Sequence, residues 1–126
     1  MGRRITKPRL AHVPREAEQQ CNVRVANEAV SVVHLTLAAG AERLALRCEC
    51  GDAACAAPLS LTRAEYEAVR AYGSHFAVGV NHENPENACV LSENAYFEVI
   101  DVIARDSRYH VLARNPRHPW IERSAS

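Results

Sequence analysis

The chain has no apolar run near the roughly 20 residues that a membrane-spanning helix requires, and its first residues lack the apolar stretch of a secretory signal. Aromatic residues make up only 6% of it, too few to indicate a platform that stacks nucleic-acid bases. The length of 126 residues and the 48% hydrophobic content suit one domain with its own core. We therefore expect a cytoplasmic protein without membrane association.

The charged residues leave the net charge at zero but are unevenly placed. The first fifteen residues carry five basic groups and no acid, so the rest of the chain has ten basic and fifteen acidic groups. We predict a disordered basic tail over residues 1–14. Its simplest interpretation is a solvated terminal segment that binds nothing. Nucleic acid or an acidic partner is the alternative target of such an arm.

Five cysteines do not pair evenly into disulfides, and three of them lie within eight residues, as Cys48, Cys50 and Cys55. In a reducing compartment this pattern favours a metal site over a disulfide framework. Two positions apart on a strand, Cys48 and Cys50 leave the same face, and Gly51 lets the backbone turn so that Cys55 returns to the same point. Three thiolates need a cation, and Zn²⁺ with a fourth ligand supplies that charge.

The N-terminal part predicts a helix from about Arg15 to about Val33, entered at Pro14. Its expected core-facing stripe has four-residue spacing: Ala17, Cys21, Val25 and Ala29. Residues 38–41 read as a connector. From Arg43 to Cys50 alternation predicts a half-buried strand, with Leu44, Leu46, Cys48 and Cys50 inward and Arg43, Arg47 and Glu49 outward.

Beyond Cys55, Pro58 to Leu61 reads as a short extended segment, and Thr62 with Glu65 forms a capping box. The helix that follows is predicted to run to about Tyr72 and to be closed by Gly73. Its expected inward residues are Tyr66, Val69 and one of Ala64 and Ala68.

The last part predicts a strand through Phe76, Val78 and Val80 that ends beside His82. The apolar runs 96–104 and 109–113 are predicted to form an antiparallel hairpin around the polar residues 105–108. Residues 116–126 are expected to be a tail, with Trp120 against the body.

Three segments together resemble a family of short, mostly uncharacterised bacterial proteins. These are 48–55 with CECG-x3-C, 61–70 with LT-x2-EYE-x-VR and 75–83 with F-x-V-x3-HE. The resemblance covers roughly the middle third of the chain, and it implies one four-ligand site of Cys48, Cys50, Cys55 and His82. The stretch 84–98 departs from the family by its length and by Cys89.

His82 is the predicted fourth ligand because its strand can lie beside the strand that leads to Cys50. The other histidines have less reason to approach the cysteines: His12, His34, His75, His110 and His118. Cys89 is the alternative ligand, and it would make the site all-cysteine.

The fold class that follows is α+β, with an N-terminal helix, a small antiparallel sheet and one short helix around a single zinc site. The domain is predicted to span residues 15–115. A closed Cys3His zinc site is structural, so we predict a small regulatory or protein-interaction module whose partner is a protein.

Besides nucleic-acid binding through the basic arm, two other interpretations of the cysteine cluster remain open at this point. Glu83 next to His82 suits a base toward zinc-bound water, but the chain has no His-Glu-x-x-His helix and no deaminase pattern. An iron–sulfur cluster is the other alternative, and the C-x-C-x4-C spacing is not the one expected for such proteins.

Overall fold

The computed structural model describes residues 15–37 and 43–115. The predicted basic tail, the connector at 38–41 and the tail at 116–126 with Trp120 lie outside the described residues. So do His12, His118 and the side chain of His34. Among the described helices, none is both long and apolar enough to cross a bilayer.

The described residues form three helices and five strands, which confirms the α+β class. In chain order these are α1 Arg15–Leu37, β1 Arg43–Arg47, β2 Pro58–Thr62, α2 Arg63–Arg70, β3 His75–Val78, β4 Ala88–Glu93, β5 Glu98–Val102 and α3 Arg105–Arg114.

The strands form two antiparallel sheets rather than one. Strands β1 and β2 pair with Leu44 opposite Leu61. In the second sheet β5 is central, between β3 and β4, and its register places Phe76 opposite Ile100. The inward side chains of both sheets meet α2 in one core, which includes Leu44, Leu46, Leu59, Leu61, Tyr66, Val69, Phe76, Val78, Ile100 and Val102.

Helix α1 extends about one turn beyond its predicted end. The prediction of which residues face the core is wrong for its second half. Ala17 and Cys21 are buried as expected, but Val25 is 57% exposed and Ala29 is also exposed. The inward face of the second half is polar instead, with the buried residues Gln20, Arg24, Asn27 and Ser31. A four-residue stripe drifts around a helix of 3.6 residues per turn, so it does not by itself fix which face is inward.

Arg24 explains why a polar face of α1 turns inward. Its guanidinium, buried with the side chain, donates to the carbonyl oxygens of Arg70 at 2.6 Å, His75 at 3.0 Å and Tyr72 at 3.3 Å. These carbonyls lie at or just beyond the end of α2, where helical partners are missing. The charge-assisted hydrogen bonds therefore hold α1 against the end of α2 and the start of β3.

The predicted capping box at the start of helix α2 is confirmed, whereas one of its predicted inward positions is wrong. The Glu65 backbone N–H donates to Thr62 Oγ1 at 3.1 Å, and the Thr62 N–H donates to Glu65 Oε1 at 2.8 Å. Tyr66 and Val69 are buried. Ala64 and Ala68 are both exposed, because an eight-residue helix on this core turns only one narrow stripe inward.

The predicted C-terminal hairpin is wrong. Its first run is β5, which pairs with β3 and β4, and its second run belongs to helix α3, so His110 is helical. Val111 and Ser107 are buried four positions apart, while Tyr109 and Leu112 are exposed, as helical spacing requires. Polar residues 105–108 are thus the first turn of α3 and not a hairpin loop.

Candidate metal centre

The first two cysteines of the cluster follow directly from β1. Both side chains are buried, and the Cys48 N–H donates to the Ala57 carbonyl at 3.0 Å, which continues the ladder past the end of β1. The Gly79 N–H donates to Cys48 Sγ at 3.1 Å, and the backbone N–H groups of Cys50 and Asp52 lower the pKa of Cys48 and of Cys50, respectively. These N–H donors favour thiolate over thiol.

Cys55 returns to the same point through a tight turn. The Cys55 N–H donates to the Asp52 carbonyl at 2.9 Å, and the Ala54 N–H donates to Asp52 Oδ1 at 2.9 Å. Gly51 begins this turn with φ at 90°, a value that side-chain-bearing residues rarely adopt. The turn carries the third sulfur to the first two, as the spacing predicts.

His82 reaches the sulfurs through a turn that follows β3. The His82 N–H donates to the Gly79 carbonyl at 3.0 Å, and Asn81 adopts a φ of 68°, which asparagine tolerates. The ring lies on Gly79, where an added Cβ would stand 3.2 Å from it. Nδ1 thereby comes to 3.4 Å from Cys48 Sγ and 3.5 Å from Cys55 Sγ.

The four donor atoms lie close enough together to hold a metal ion. The three Sγ atoms and His82 Nδ1 all lie within 4.8 Å of one another. A tetrahedron with zinc–sulfur and zinc–nitrogen bonds of ordinary length separates sulfur from nitrogen by about 3.6 Å. The two measured separations, 3.4 and 3.5 Å, agree with that value. The predicted residues are therefore brought together in a geometry that can hold a metal ion.

The buried thiols of the cluster must lose their protons before they can bind a metal ion. Burial raises the pKa of the Cys48 and Cys50 thiols, so without a positive charge both stay protonated at neutral pH. A metal ion reverses this balance because it binds thiolates and displaces their protons. Metal affinity at this site is thus expected to weaken as the pH falls.

Glu49, which lies between Cys48 and Cys50, points inward, so its predicted outward position is wrong. Strand β1 ends at Arg47, so alternation no longer governs position 49, and the side chain is fully buried. Its carboxylate accepts hydrogen bonds from Tyr66 Oη at 2.7 Å, Asn27 Nδ2 at 2.9 Å and the Ala77 N–H at 3.0 Å. Burial raises the pKa of Glu49, and these three donors act in the opposite direction.

Glu49 also links the cysteine segment to β3. Its backbone N–H donates to the Ala77 carbonyl at 2.9 Å, and its side chain accepts a hydrogen bond from the Ala77 N–H. This contact places the cysteine segment beside the strand that leads to His82, as predicted, although β1 and β3 belong to different sheets. No local pattern distinguishes Glu49 from a surface glutamate, because its donors come from three distant segments.

Helix α1 contacts the cluster from the other side. Asn27 accepts from the Arg47 N–H at 3.0 Å and donates to the Arg47 carbonyl at 2.9 Å, so one amide completes the end of β1. A Cβ on Gly51 would overlap the Glu16 side chain, which shows how closely the helix approaches. The Glu16 carboxylate accepts from Asn84 and Asn87, both at 3.0 Å.

An open cleft of about 610 Å³ lies beside the cluster. Cys48 is buried, Cys55 is half-buried and His82 is exposed, so the centre is closed on the core side and reachable from solvent. The cleft is lined by Glu16, Cys50, Asp52, Ala54, Cys55, Asn81, His82 and Asn84.

The rival residues lie elsewhere. Cys89 is exposed on β4 and is not in the four-residue cluster, so the all-cysteine alternative is not favoured. His75 contacts Tyr72 and Asp101. Glu83 lies against Glu98, whose pKa is raised by burial and then by the neighbouring carboxylates, and it does not line the cleft. This placement gives no support to Glu83 as a base toward metal-bound water.

Gly79 offers a test of how the histidine is positioned. Gly79→Ala is expected to push the His82 ring away by a few tenths of an ångström and to lower metal affinity by about tenfold. The measurement is competition with a chromophoric chelator. Val80→Ala, which trims an exposed neighbouring side chain, is the control and should bind as the parent does. Equal affinity of all three proteins would contradict this role of Gly79.

Comparisons of the chain with protein-family models, with curated proteins and with solved structures return no match. The family resemblance of segments 48–55, 61–70 and 75–83 therefore stays a prediction. The three segments do meet in the structure, because Glu49, Tyr66 and Ala77 share one hydrogen-bonded group beside the cluster.

Proposed function

We propose that the protein is a small zinc-binding module in which Cys48, Cys50, Cys55 and His82 hold a structural Zn²⁺. The observation that carries the proposal is the convergence of four donor atoms within 4.8 Å from two separate chain segments. Soft thiolates and an imidazole in a tetrahedron are the donors that zinc prefers. Zinc bound there links the cysteine segment after β1 to the turn after β3, and in this way connects the two sheets.

A structural role is supported by the surroundings of the donors. Four protein ligands complete a tetrahedron and leave no position for a substrate. The buried hydrogen bonds of Glu49 and Asn27 fix the segment that carries Cys48 and Cys50, as expected where a metal stabilises a fold. Three thiolates also donate much charge to the metal, so a bound water would be weakly acidified.

The module is proposed to act through a protein partner in the reducing cytoplasm. Helix α1 supports this because it turns polar side chains inward and leaves apolar ones in solvent, among them Val25 at 57% and Val32 at 62% exposure. Exposed apolar side chains along one helix suit an interaction surface. The free thiols of the cluster persist in a reducing compartment. Contact with nucleic acid through the basic segment 1–14 remains a prediction from sequence.

The test is metal analysis of the full chain purified from its native cytoplasm, combined with identification of the proteins that co-purify. We expect about one zinc ion per chain and, after cobalt substitution, the absorption of a tetrahedral thiolate site. A protein without metal would overturn the proposal. A brown protein that contains iron would mean that the site holds an iron–sulfur cluster and not zinc.

A further inference from the structure

We propose that Cys50 and Cys55 form an oxidative modification site, at which hydroperoxides convert the two thiolates into a disulfide and release the metal. The inference rests on the proposed zinc function, because it concerns the regulation of the same centre. The chemical class of the co-substrate is a peroxide, with hydrogen peroxide as its simplest member.

Position at the cleft separates these two cysteines from the third, although Cys50 is itself buried. Cys50 and Cys55 both line the cleft, and Cys55 is half-buried rather than buried. Cys48 is 3% exposed, does not line the cleft and accepts a hydrogen bond from the Gly79 N–H. An oxidant that enters the cleft therefore meets Cys55 first and Cys50 next.

The two sulfurs are close enough for a disulfide to form after a local movement. Their sulfurs belong to a cluster whose donor atoms lie within 4.8 Å of one another, and a bond requires approach to about 2.05 Å. The intervening turn contains Gly51, and its four residues lie on the surface side of the cluster. The sulfurs can thus close the remaining gap by movement of this turn, while Cys48 stays fixed at the end of β1.

The reaction balances as a two-electron oxidation. The Cys55 thiolate attacks one oxygen of hydrogen peroxide, the O–O bond breaks, and hydroxide leaves as the sulfenic acid forms. The Cys50 thiolate then attacks that sulfur, the S–S bond forms and a second hydroxide leaves. Two protons from solvent convert both hydroxides to water. The two sulfurs are oxidised, and the peroxide is reduced.

Loss of two thiolates leaves only Cys48 and His82 as donors, which is too few for a tetrahedral zinc site. The metal is released, and the turn of residues 79–82 loses its link to the cysteine segment. The neighbouring Asn84, which binds Glu16 at the start of α1, lies two residues from the freed His82. Oxidation is therefore expected to loosen the rim of the cleft and the start of α1.

The experiment treats the zinc-loaded full chain with hydrogen peroxide and follows free zinc with a chromophoric indicator. We expect release of about one zinc per chain and a mass loss of about 2 Da. Peptide mapping should place the new bond between Cys50 and Cys55. A thiol reductant with added zinc should restore the starting protein. Cys89→Ser, which removes the exposed thiol on β4, is the control and should respond as the parent does.

Three results would overturn the inference: zinc retained with Cys50 and Cys55 still reduced, a disulfide that involves Cys48, or oxidation that ends at sulfinic acid without a disulfide. The untreated sample separates the two proposals. Absence of zinc before peroxide is added contradicts the zinc function itself, whereas zinc that is present and not released contradicts only the oxidative site.

Discussion

Replacing Cys50 by serine is expected to remove the metal and unfold the domain together. A structural zinc contributes on the order of 10 to 16 kcal/mol in zinc-finger peptides at neutral pH. The whole stability of a small domain is about 5 to 15 kcal/mol, so loss of this term leaves little of it. The measurements are metal content by elemental analysis and the far-ultraviolet circular dichroism melt of the same sample.

The matched control is Cys89→Ser, which changes the same residue type on the exposed face of β4. This variant should keep its zinc and its melting temperature. Removal of metal from the parent by a strong chelator should reproduce the Cys50→Ser spectrum. A Cys50→Ser protein that has lost zinc but melts as the parent does would show that the metal is not structural.

The candidate ligands could be predicted because three of them lie close together in the sequence and His82 follows a strand that was expected to lie beside them. Cys48 and Cys50 lie just beyond the end of β1, Gly51 permits the turn to Cys55, and His82 lies beyond the end of β3, which the Glu49 backbone contacts. Each step depends on a few neighbouring residues, and the structure places all four donors within 4.8 Å.

Contacts between distant segments could not be predicted in the same way. The inward polar face of α1 exists because Arg24 finds three carbonyls near the end of α2. The run 109–113 predicts a strand but belongs to helix α3, because a five-residue apolar run does not distinguish the two. Asp106 in its first turn and Arg114 in its last were the available signals, since both suit a helix dipole.

Glu49→Ala should give the second large effect, a loss of about 4 kcal/mol of unfolding free energy. The substitution leaves Tyr66 Oη, Asn27 Nδ2 and the Ala77 N–H without the acceptor that they share in a buried setting. It also removes the contacts that hold position 49 between the proposed ligands Cys48 and Cys50, so zinc affinity should fall by about tenfold. Urea unfolding of the zinc-loaded protein and chelator competition measure the two effects.

Tyr66→Phe provides the graded comparison, because it removes a single donor and keeps the buried ring. It should cost about 1 kcal/mol. In Glu49→Ala the tyrosine hydroxyl has already lost its acceptor. Adding Tyr66→Phe to that variant should therefore cost less than Tyr66→Phe costs in the parent protein. Equal losses for Glu49→Ala and Tyr66→Phe would mean that the carboxylate is not the centre of this group. A clear coupling would instead show that the Tyr66 hydroxyl and the buried Glu49 carboxyl group stabilise the domain through their direct contact.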